Sequence, residues 1–287
     1  MRRSFFCGVD PLTGNDYEHR KGWIQQRLEQ LAAAFAVEVC EFSAMDNHLH
    51  TVLRNRPDLV GEWPDQEVAR RWWQLCPLRR DEHEQPAEPY DFELNLWLED
   101  AERMIELRKR LSSISWFMKL LCEHIARRAN REDGVHGKFW EERFKCVPLL
   151  DEEAILACSM YVDLNPIRAG KAETPESSEY TSAYERIQSL RRCQTQHADG
   201  PDSLGQTVST IEERAESDLW LSPISLASAS ASKDGAIVSN TFPGRRASNR
   251  GFLSLALPEY LQLLDWTGRQ LRSDKQGTIR CFPSWSG

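Results

Sequence analysis

The stretch VEVCEFSAMDNHLHTVL, residues 37–53, predicts a β-hairpin around which the rest of the fold can be built. Val37, Val39 and Glu41 point to one face and the residues between them to the other, because successive side chains of a strand alternate. The segment MDN follows as a tight turn, since Asp and Asn side chains satisfy nearby backbone groups. HLHTVL then resumes the strand pattern, so two strands joined by a short polar turn are expected.

The chain around the hairpin predicts an α+β fold. Residues 16–35 carry apolar side chains at helical spacing. Residues 151–166 predict a helix with Asp151 as its cap, carboxylates in its first turn and Pro166 at its end. The other expected elements are a strand over 3–9, a helix over 92–131 that breaks near Ser112, and a strand over 137–150. This order predicts an antiparallel sheet with helices on one face, compatible with a ferredoxin-like topology.

Composition divides the chain into three parts. Residues 1–189 form the predicted core domain, with an insertion over about 55–100. Within the insertion, residues 57–77 hold a short helix, PDQEVARRWWQL, and residues 78–90 form a polar loop. Residues 190–250 are rich in Ser, Ala and Gly without a sustained apolar period, which predicts a flexible linker in a partly disordered extension. Residues 251–287 include LPEYLQLLDWTGRQLR, a helical pattern expected to dock through its apolar residues, Trp266 among them.

The bulk composition excludes several classes of protein. The chain has 287 residues, of which 40% are hydrophobic, and no apolar run approaches the ~18 residues of a membrane span. The apolar run near the start is too short for a signal peptide, so a cytoplasmic protein without membrane contact is expected. The eight cysteines are scattered without a C-x-x-C pair, which argues against a zinc ribbon or a disulfide framework.

Charge is distributed unevenly along the chain. The net charge of −8 by itself disfavours a nucleic-acid-binding protein. Residues 108–147, however, carry ten Lys and Arg against five Asp and Glu, a local excess of five positive charges. Such a basic tract inside an acidic chain can still bind phosphate groups.

The hairpin carries two histidines with strand spacing. His48 and His50 are two residues apart, so on a strand they share a face with about 6.5–7 Å between their Cα atoms. Two neutral imidazoles in that arrangement can bind one metal ion. The alternative is a pair of polar residues on a solvated face. A metal ion would need a third ligand from elsewhere in the chain.

A second pair of polar residues lies in YVDLNPIRAG. Tyr161 and Asn165 are four residues apart, which places both on one face of a helix. A tyrosine there could act as a phenolic nucleophile beside an amide ligand of a metal. The alternative is an amphipathic helix in which Tyr161 is half-buried.

Cations and aromatic rings are interleaved just before that helix. A single-strand groove needs cations for phosphates and rings for unpaired bases. The alternative is a solvated helix face followed by a core-packed strand, and we expect core packing for Phe139 and Trp140. Arg168 could hold a phosphate near Tyr161 or cap helix carbonyls. The candidate cations are Arg127, Arg128, Arg131, Lys138, Arg143, Lys145 and Arg168.

Three segments occur together in one order: MDNHLHTVL, GKFWEERFKCVPLLDEEAILACSMYVDLNPIRAG and TSAYERI. With them the chain resembles the single-tyrosine HUH transposases, and among these the REP-associated, insertion-sequence-type tyrosine transposases. The usual sequence motifs of these transposases are M-x-N-H-x-H, G-x-x-W-x-x-R-F-K and Y-I/V-x-x-N-P-V-R-A-G. This chain departs from it at Asp46, where proline or serine is common, and at Ile167, which replaces valine. The resemblance covers residues 3–187.

The resemblance implies an activity and a set of site residues. His48 and His50 would be the HUH histidines, Asn165 would complete a site for Mg²⁺ or Mn²⁺, and Tyr161 would be the nucleophile. It further implies a ferredoxin-like core, a homodimer, and single-stranded DNA substrates that bear hairpins. In that context we expect the candidate cations, Arg127, Arg128, Arg143 and Lys145 in particular, to contact DNA.

Two other functions remain open from the sequence. One is a domesticated protein that grips hairpin DNA or RNA without cutting it. The other is a metal hydrolase that uses the two histidines and a carboxylate such as Asp163, with water as the nucleophile.

Overall fold

The predicted hairpin is present in the computed structural model, which describes residues 6–198, 208–217, 219–226, 244–270 and 277–279. The strands are β1 (Val37–Ala44) and β2 (Leu49–Asn55). The helices are α1 (His19–Ala34), α2 (Pro57–Glu62), α3 (Asp65–Leu75), α4 (Asp91–Leu98), α5 (Ala101–Leu111), α6 (Ile114–Glu132), α7 (Glu152–Arg168), α8 (Ser182–Ala198), α9 (Val208–Ser217) and α10 (Leu257–Arg269), with a 3₁₀ turn at Pro175–Ser177.

The two strands pair antiparallel as predicted, but the predicted alternation of β1 fails after Val39, because Phe42 packs in the same core as Val39. Ser43 lies opposite His50, and the register shifts at a bulge between Val39 and Glu41. The turn is closed by the Met45 N–H, which donates to the His48 carbonyl at 2.9 Å. The other edge of β1 is also occupied, because the Ala44 N–H donates to the Tyr180 carbonyl and the Ser222 N–H to the Val39 carbonyl. β1 is therefore an interior strand.

Helices cover both faces of the hairpin, so the prediction of helices on one face is wrong. Phe42 on one face packs in a core with α1, α3, α5 and α6. Cys40 and Val52 on the other face pack in a second core with α7, α8 and α10. Every residue of β1 is buried. Its Glu38 is buried in ion pairs with Arg54 at 2.5 Å and Arg56 at 3.0 Å.

The α+β class is thus confirmed, with a two-stranded antiparallel sheet and about ten helices in the described ranges. A ferredoxin-like core stays a prediction. None of the helices in these ranges is long and apolar enough to cross a membrane.

The insertion after β2 is largely helical, as expected. Trp72 and Trp73 on α3 are buried in the first core, and the Trp73 indole N–H donates to the Ala87 carbonyl at 2.6 Å, which holds the polar loop. The predicted helix over 92–131 breaks near Ser112 and also once earlier. Both later segments begin at a side-chain cap, Asp100 for α5 and Ser113 for α6.

Two predicted strands are not found. Residues 137–150 form no strand, and their apolar residues Val147 and Leu150 are exposed rather than paired. Residues 1–5 lie outside the described part, residues 6–8 form bends, and Val9 forms only an isolated antiparallel bridge with Asp16. The Phe6 and Cys7 N–H groups both donate to the Asp46 carbonyl, so this segment is tied to the hairpin turn instead of extending the sheet.

Helix α7 begins as predicted but ends later. The Asp151 carboxylate accepts from the Ala154 N–H at 2.7 Å, and glutamates occupy the first turn. Pro166 does not end the helix, which runs on to Arg168. A proline lacks the N–H that would bond four residues back, but its φ suits a helix, and here the loss falls in the last turn.

The predicted linker over 190–250 is wrong for its described stretches. α8 continues to Ala198, α9 follows, and Leu219, Leu221 and Ile224 are buried. Residues 199–207, 218 and 227–243 lie outside the described part. The docking of the last helix is confirmed, because Leu261 and Leu264 of α10 are buried in the second core. Trp266 is an exception to that expectation: it is 61% exposed.

Candidate active site

The two histidines lie side by side at the start of β2. His50 is a half-buried residue of the strand, while His48 comes just before it and is exposed. Their ring centroids are 4.7 Å apart with the planes nearly perpendicular. The His48 Nδ1 atom and the Asn47 Oδ1 atom are 2.6 Å apart, which fixes the orientation of that ring.

Both imidazoles are held neutral. Burial, and next the neighbouring His48, lower the pKa of His50 from 6.5 to about 4. Burial also lowers the pKa of His48, and the Asp46 carboxylate opposes this effect. The His50 Nε2 atom is buried and finds no hydrogen-bond partner among the described residues. A neutral ring nitrogen that is buried without a partner fits a metal ligand.

The structure brings Tyr161 to this pair within the same chain. The Tyr161 ring on α7 packs edge-on against His50 with 5.3 Å between centroids, and the residue is 50% exposed. The sequence left open whether the phenol meets its own histidines or those of a second subunit. The single chain is sufficient for this contact.

Asn165 lies one turn further along α7. It is half-buried and lines a groove of about 470 Å³ together with Tyr161 and Arg168. Within the described ranges no three His, Cys, Asp or Glu side chains converge on a metal site. Asn165 thus shares a groove with Tyr161, whereas His48 lines a different groove, so its place as a third ligand beside the histidines stays a prediction.

Asp163 is not available to the histidines, which removes the basis for a hydrolase that uses it. The carboxylate is fully buried, and its Oδ1 atom accepts from the Ser182 hydroxyl at 2.7 Å and the Ala183 N–H at 3.0 Å. Its Oδ2 atom accepts from the Tyr260 hydroxyl at 2.7 Å. Burial raises its pKa, although these hydrogen bonds oppose the rise.

The carboxylate of Asp163 belongs to a buried polar cluster that the sequence did not reveal. Arg186 of α8 donates to the Cys40 carbonyl at 2.7 Å and lies 3.6 Å from Glu41 of β1. Burial, reinforced by Asp163, raises the pKa of Glu41 well above its usual range. The sequence offered one signal of this cluster, Tyr260 on the apolar face of α10, because a buried tyrosine hydroxyl needs a hydrogen-bond partner.

The predicted DNA-binding cations fall into two groups. Six are exposed near the end of α6 or along residues 137–150: Arg127, Arg128, Arg131, Lys138, Arg143 and Lys145. Some of these are engaged, since Arg127 pairs with Glu123, and Arg131 with Glu84 at 3.2 Å. Arg168 is different, because its guanidinium donates to the carbonyls of Thr267, Gln270 and Gly277.

A second groove begins beside the histidines. It has a volume of about 610 Å³, and its lining includes His48, Trp116, Lys119, Trp140 and Arg143. Phe139 is buried in the first core, as expected, whereas Trp140 is half-buried and turns part of its ring to this groove. The sequence did not single out Trp116 or Lys119. Aromatic rings and cations therefore adjoin the histidine pair.

Comparison of the chain with protein-family models, with curated proteins and with solved structures gave no match. Its function has to be inferred from the arrangement of these side chains.

Proposed function

We propose that this chain is a transposase-type DNA strand transferase that cuts and rejoins single-stranded, hairpin-bearing DNA with Tyr161 as its nucleophile. The observation that carries the proposal is the contact between the rings of Tyr161 and His50, 5.3 Å apart in one chain, next to His48. These are the residues that the resemblance to single-tyrosine HUH transposases assigns to the nucleophile and the metal site.

Each side chain has a defined task in this reaction. The neutral imidazoles of His48 and His50, with the amide oxygen of Asn165, would hold Mg²⁺ or Mn²⁺. A bound divalent ion withdraws negative charge from the phosphodiester and orients it. The half-exposed Tyr161 hydroxyl loses its proton and attacks the phosphorus. A tyrosine–phosphate bond forms, the bond to the 3′-oxygen breaks, and that oxygen takes up a proton.

The product explains why no energy source is needed for rejoining. The DNA end is held as a 5′-phosphotyrosine, and the other strand end leaves with a free 3′-hydroxyl. The phosphotyrosine has the bond type of the original diester, so another 3′-hydroxyl can reverse the step at a new position.

A single strand as substrate is supported by the groove beside His48. Trp116, Trp140, Lys119 and Arg143 line this groove, and such a mixture of aromatic rings and cations suits unpaired bases and phosphates. Glu141 and Glu142 also line this groove. The proposal includes a homodimer, because two cleavages need two nucleophiles and each chain supplies one Tyr161.

The proposal extends to a ferredoxin-like core built on the hairpin. Its support is the interior position of β1, which is paired with β2 on one edge and bonded to residues 180 and 222 on the other.

A denaturing gel tests the proposed function. The substrate is a 3′-labelled single strand with a hairpin, taken from DNA that flanks the coding sequence, with Mg²⁺ or Mn²⁺ added. We expect the label to migrate with the protein, and Tyr161→Phe to abolish this adduct while DNA binding is retained. Tyr90→Phe, an exposed tyrosine of the insertion, is the matched control.

The other outcomes identify the alternatives. Normal cleavage by Tyr161→Phe would refute the assignment of the nucleophile. Cleavage without an adduct would identify a hydrolase. Binding of the hairpin without cleavage in either metal would identify the non-cleaving hairpin-binding protein that the sequence left open.

A further inference from the structure

The C-terminal helix α10 holds the helix that carries the proposed nucleophile. The Tyr260 hydroxyl donates to the Oδ2 atom of Asp163 at 2.7 Å, and both residues are fully buried. Asp163 lies midway between Tyr161 and Asn165 along α7. A contact from α10 thus reaches the turn of α7 that holds both proposed site residues, although residue 260 lies far beyond the segments that resemble transposases.

Asp163 restricts the rotation of α7 about its own axis. Positions two apart on a helix point about 200° away from each other, so Asp163 faces inward where Tyr161 faces outward. Its two oxygens are bound by Tyr260 from α10 and by Ser182 and Ala183 from α8. A rotation that moved the Tyr161 ring away from His50 would break these buried hydrogen bonds.

A second contact holds the end of α7. The Arg168 guanidinium donates to the carbonyls of Thr267 at 2.7 Å, Gln270 at 2.8 Å and Gly277 at 3.2 Å. The first two belong to the C-terminal end of α10. Gly268 lies between them, and a Cβ atom there would lie 3.0 Å from the Leu164 side chain of α7, so the two helices approach closely at this point.

We propose that α10 is a positioning element for the tyrosine helix, with Tyr260 and Arg168 as its positioning residues. This rests on the proposed function of Tyr161. Neither residue touches the substrate in this proposal; both act by fixing where the Tyr161 hydroxyl lies relative to the histidine pair. In-line attack is sensitive to misplacement, because a shift of about 1 Å can cost roughly a hundredfold in rate.

The first test compares tyrosine variants of the full-length protein. Tyr260→Phe removes one hydroxyl and keeps the ring that fills the core. We expect kcat for adduct formation to fall about tenfold, while KM for the oligonucleotide stays within about twofold. Tyr184→Phe, which removes a half-buried hydroxyl from the neighbouring α8, is the matched control and should leave both constants unchanged. A Tyr260→Phe enzyme with wild-type kcat would overturn the proposal.

Arg168 variants separate positioning from DNA contact. A lysine keeps the charge but cannot bridge three carbonyls, so we expect Arg168→Lys to lose kcat as Arg168→Ala does. If Arg168 held a DNA phosphate, Lys would restore activity, and Ala would raise KM and reduce the salt dependence of binding. Either of those results would overturn the positioning role of Arg168.

A measurement without DNA tests the contact itself. Hydrogen exchange at the α7 amides of residues 158–165, 167 and 168 should accelerate in Tyr260→Phe, while the α6 amides keep their wild-type rates as the internal reference. Unchanged α7 exchange would overturn the proposal. This measurement needs no turnover, so it tests whether α10 positions α7 independently of the proposed function. Failure of the proposed function would instead show as a wild-type protein that forms no adduct.

Discussion

Acidification should weaken Mn²⁺ binding at His48 and His50 much less than at two ordinary imidazoles. A protonated imidazole cannot bind a metal, so affinity falls as the ring takes up a proton. Burial, followed by the adjacent His48, lowers the pKa of His50 from 6.5 to about 4. Burial also lowers the pKa of His48 despite the opposing Asp46 carboxylate. Each shift extends the neutral, metal-binding form to lower pH.

The size of the effect follows from these directions. An imidazole with the ordinary pKa of 6.5 is about one-tenth neutral at pH 5.5, so a pair of them loses roughly a hundredfold in affinity between pH 7.5 and 5.5. His50, with a pKa of about 4, stays largely neutral at pH 5.5. Only protonation of His48 can then reduce the Mn²⁺ affinity. Because the pKa of that ring lies below 6.5, the affinity falls by less than about tenfold between pH 7.5 and 5.5.

The assay is a calorimetric Mn²⁺ titration at pH 7.5, 6.5 and 5.5 without DNA. Tyr161→Phe serves as the protein, so that no covalent chemistry accompanies binding. His50→Ala is the control and should bind Mn²⁺ weakly at every pH. A loss of about a hundredfold for the intact pair would refute the reasoning, because it would show two imidazoles that titrate as they do in water.

Three further results are expected. Leu28→Ala in the first core should lower the free energy of unfolding by about 2–5 kcal/mol in urea titrations, because Leu28 is fully buried. Gly268→Ala should lower the thermal midpoint, since the added methyl group would clash with Ile279. Mixing His50→Ala chains with Tyr161→Phe chains should restore no cleavage, because Tyr161 contacts His50 of its own chain.

For each of these predictions, one outcome would contradict the reasoning. A loss below about 1 kcal/mol for Leu28→Ala would mean that the first core can collapse around the cavity. An unchanged midpoint for Gly268→Ala would mean that Ile279 packs less closely against Gly268 than described. Recovery of about a quarter of the activity in the mixture would place Tyr161 in the partner's site, since half of randomly formed dimers are mixed and each holds one intact composite site.

The parts of the fold that depend on neighbouring residues could be predicted. The hairpin is encoded by alternation and a polar turn, and the start of α7 by the Asp151 cap. The position of His50 and Val52 on one face, with Leu49 and Leu53 on the other, follows from the strand period alone.

The remaining features depend on distant parts of the chain. Glu38 and Glu41 look like solvent-facing strand residues, and partners from other segments make their burial tolerable: Arg54 and Arg56 for Glu38, and Arg186 for Glu41. Residues 137–150 have a strand-like composition, but a segment with high β-propensity forms a strand only where another strand is available to pair with it. The Ser- and Ala-rich stretch after residue 190 looked unable to form a core, yet Leu221 is buried in the first core and Ile224 in the second.

The candidate site likewise depends partly on neighbouring residues and partly on distant ones. Spacing placed the two histidines together, but their distance to Tyr161 depends on how α7 docks on the hairpin. An apolar interface alone would tolerate sliding, and a slip of one helical turn, about 5.4 Å, would take the phenol out of contact with His50. Buried polar groups resist such a slip, because each must keep its partner. Asp163 is bound from two helices that are remote in sequence. The contact between Tyr161 and His50 therefore depends on Asp163 within the tyrosine motif and on its partners Ser182 and Tyr260, which lie outside that motif.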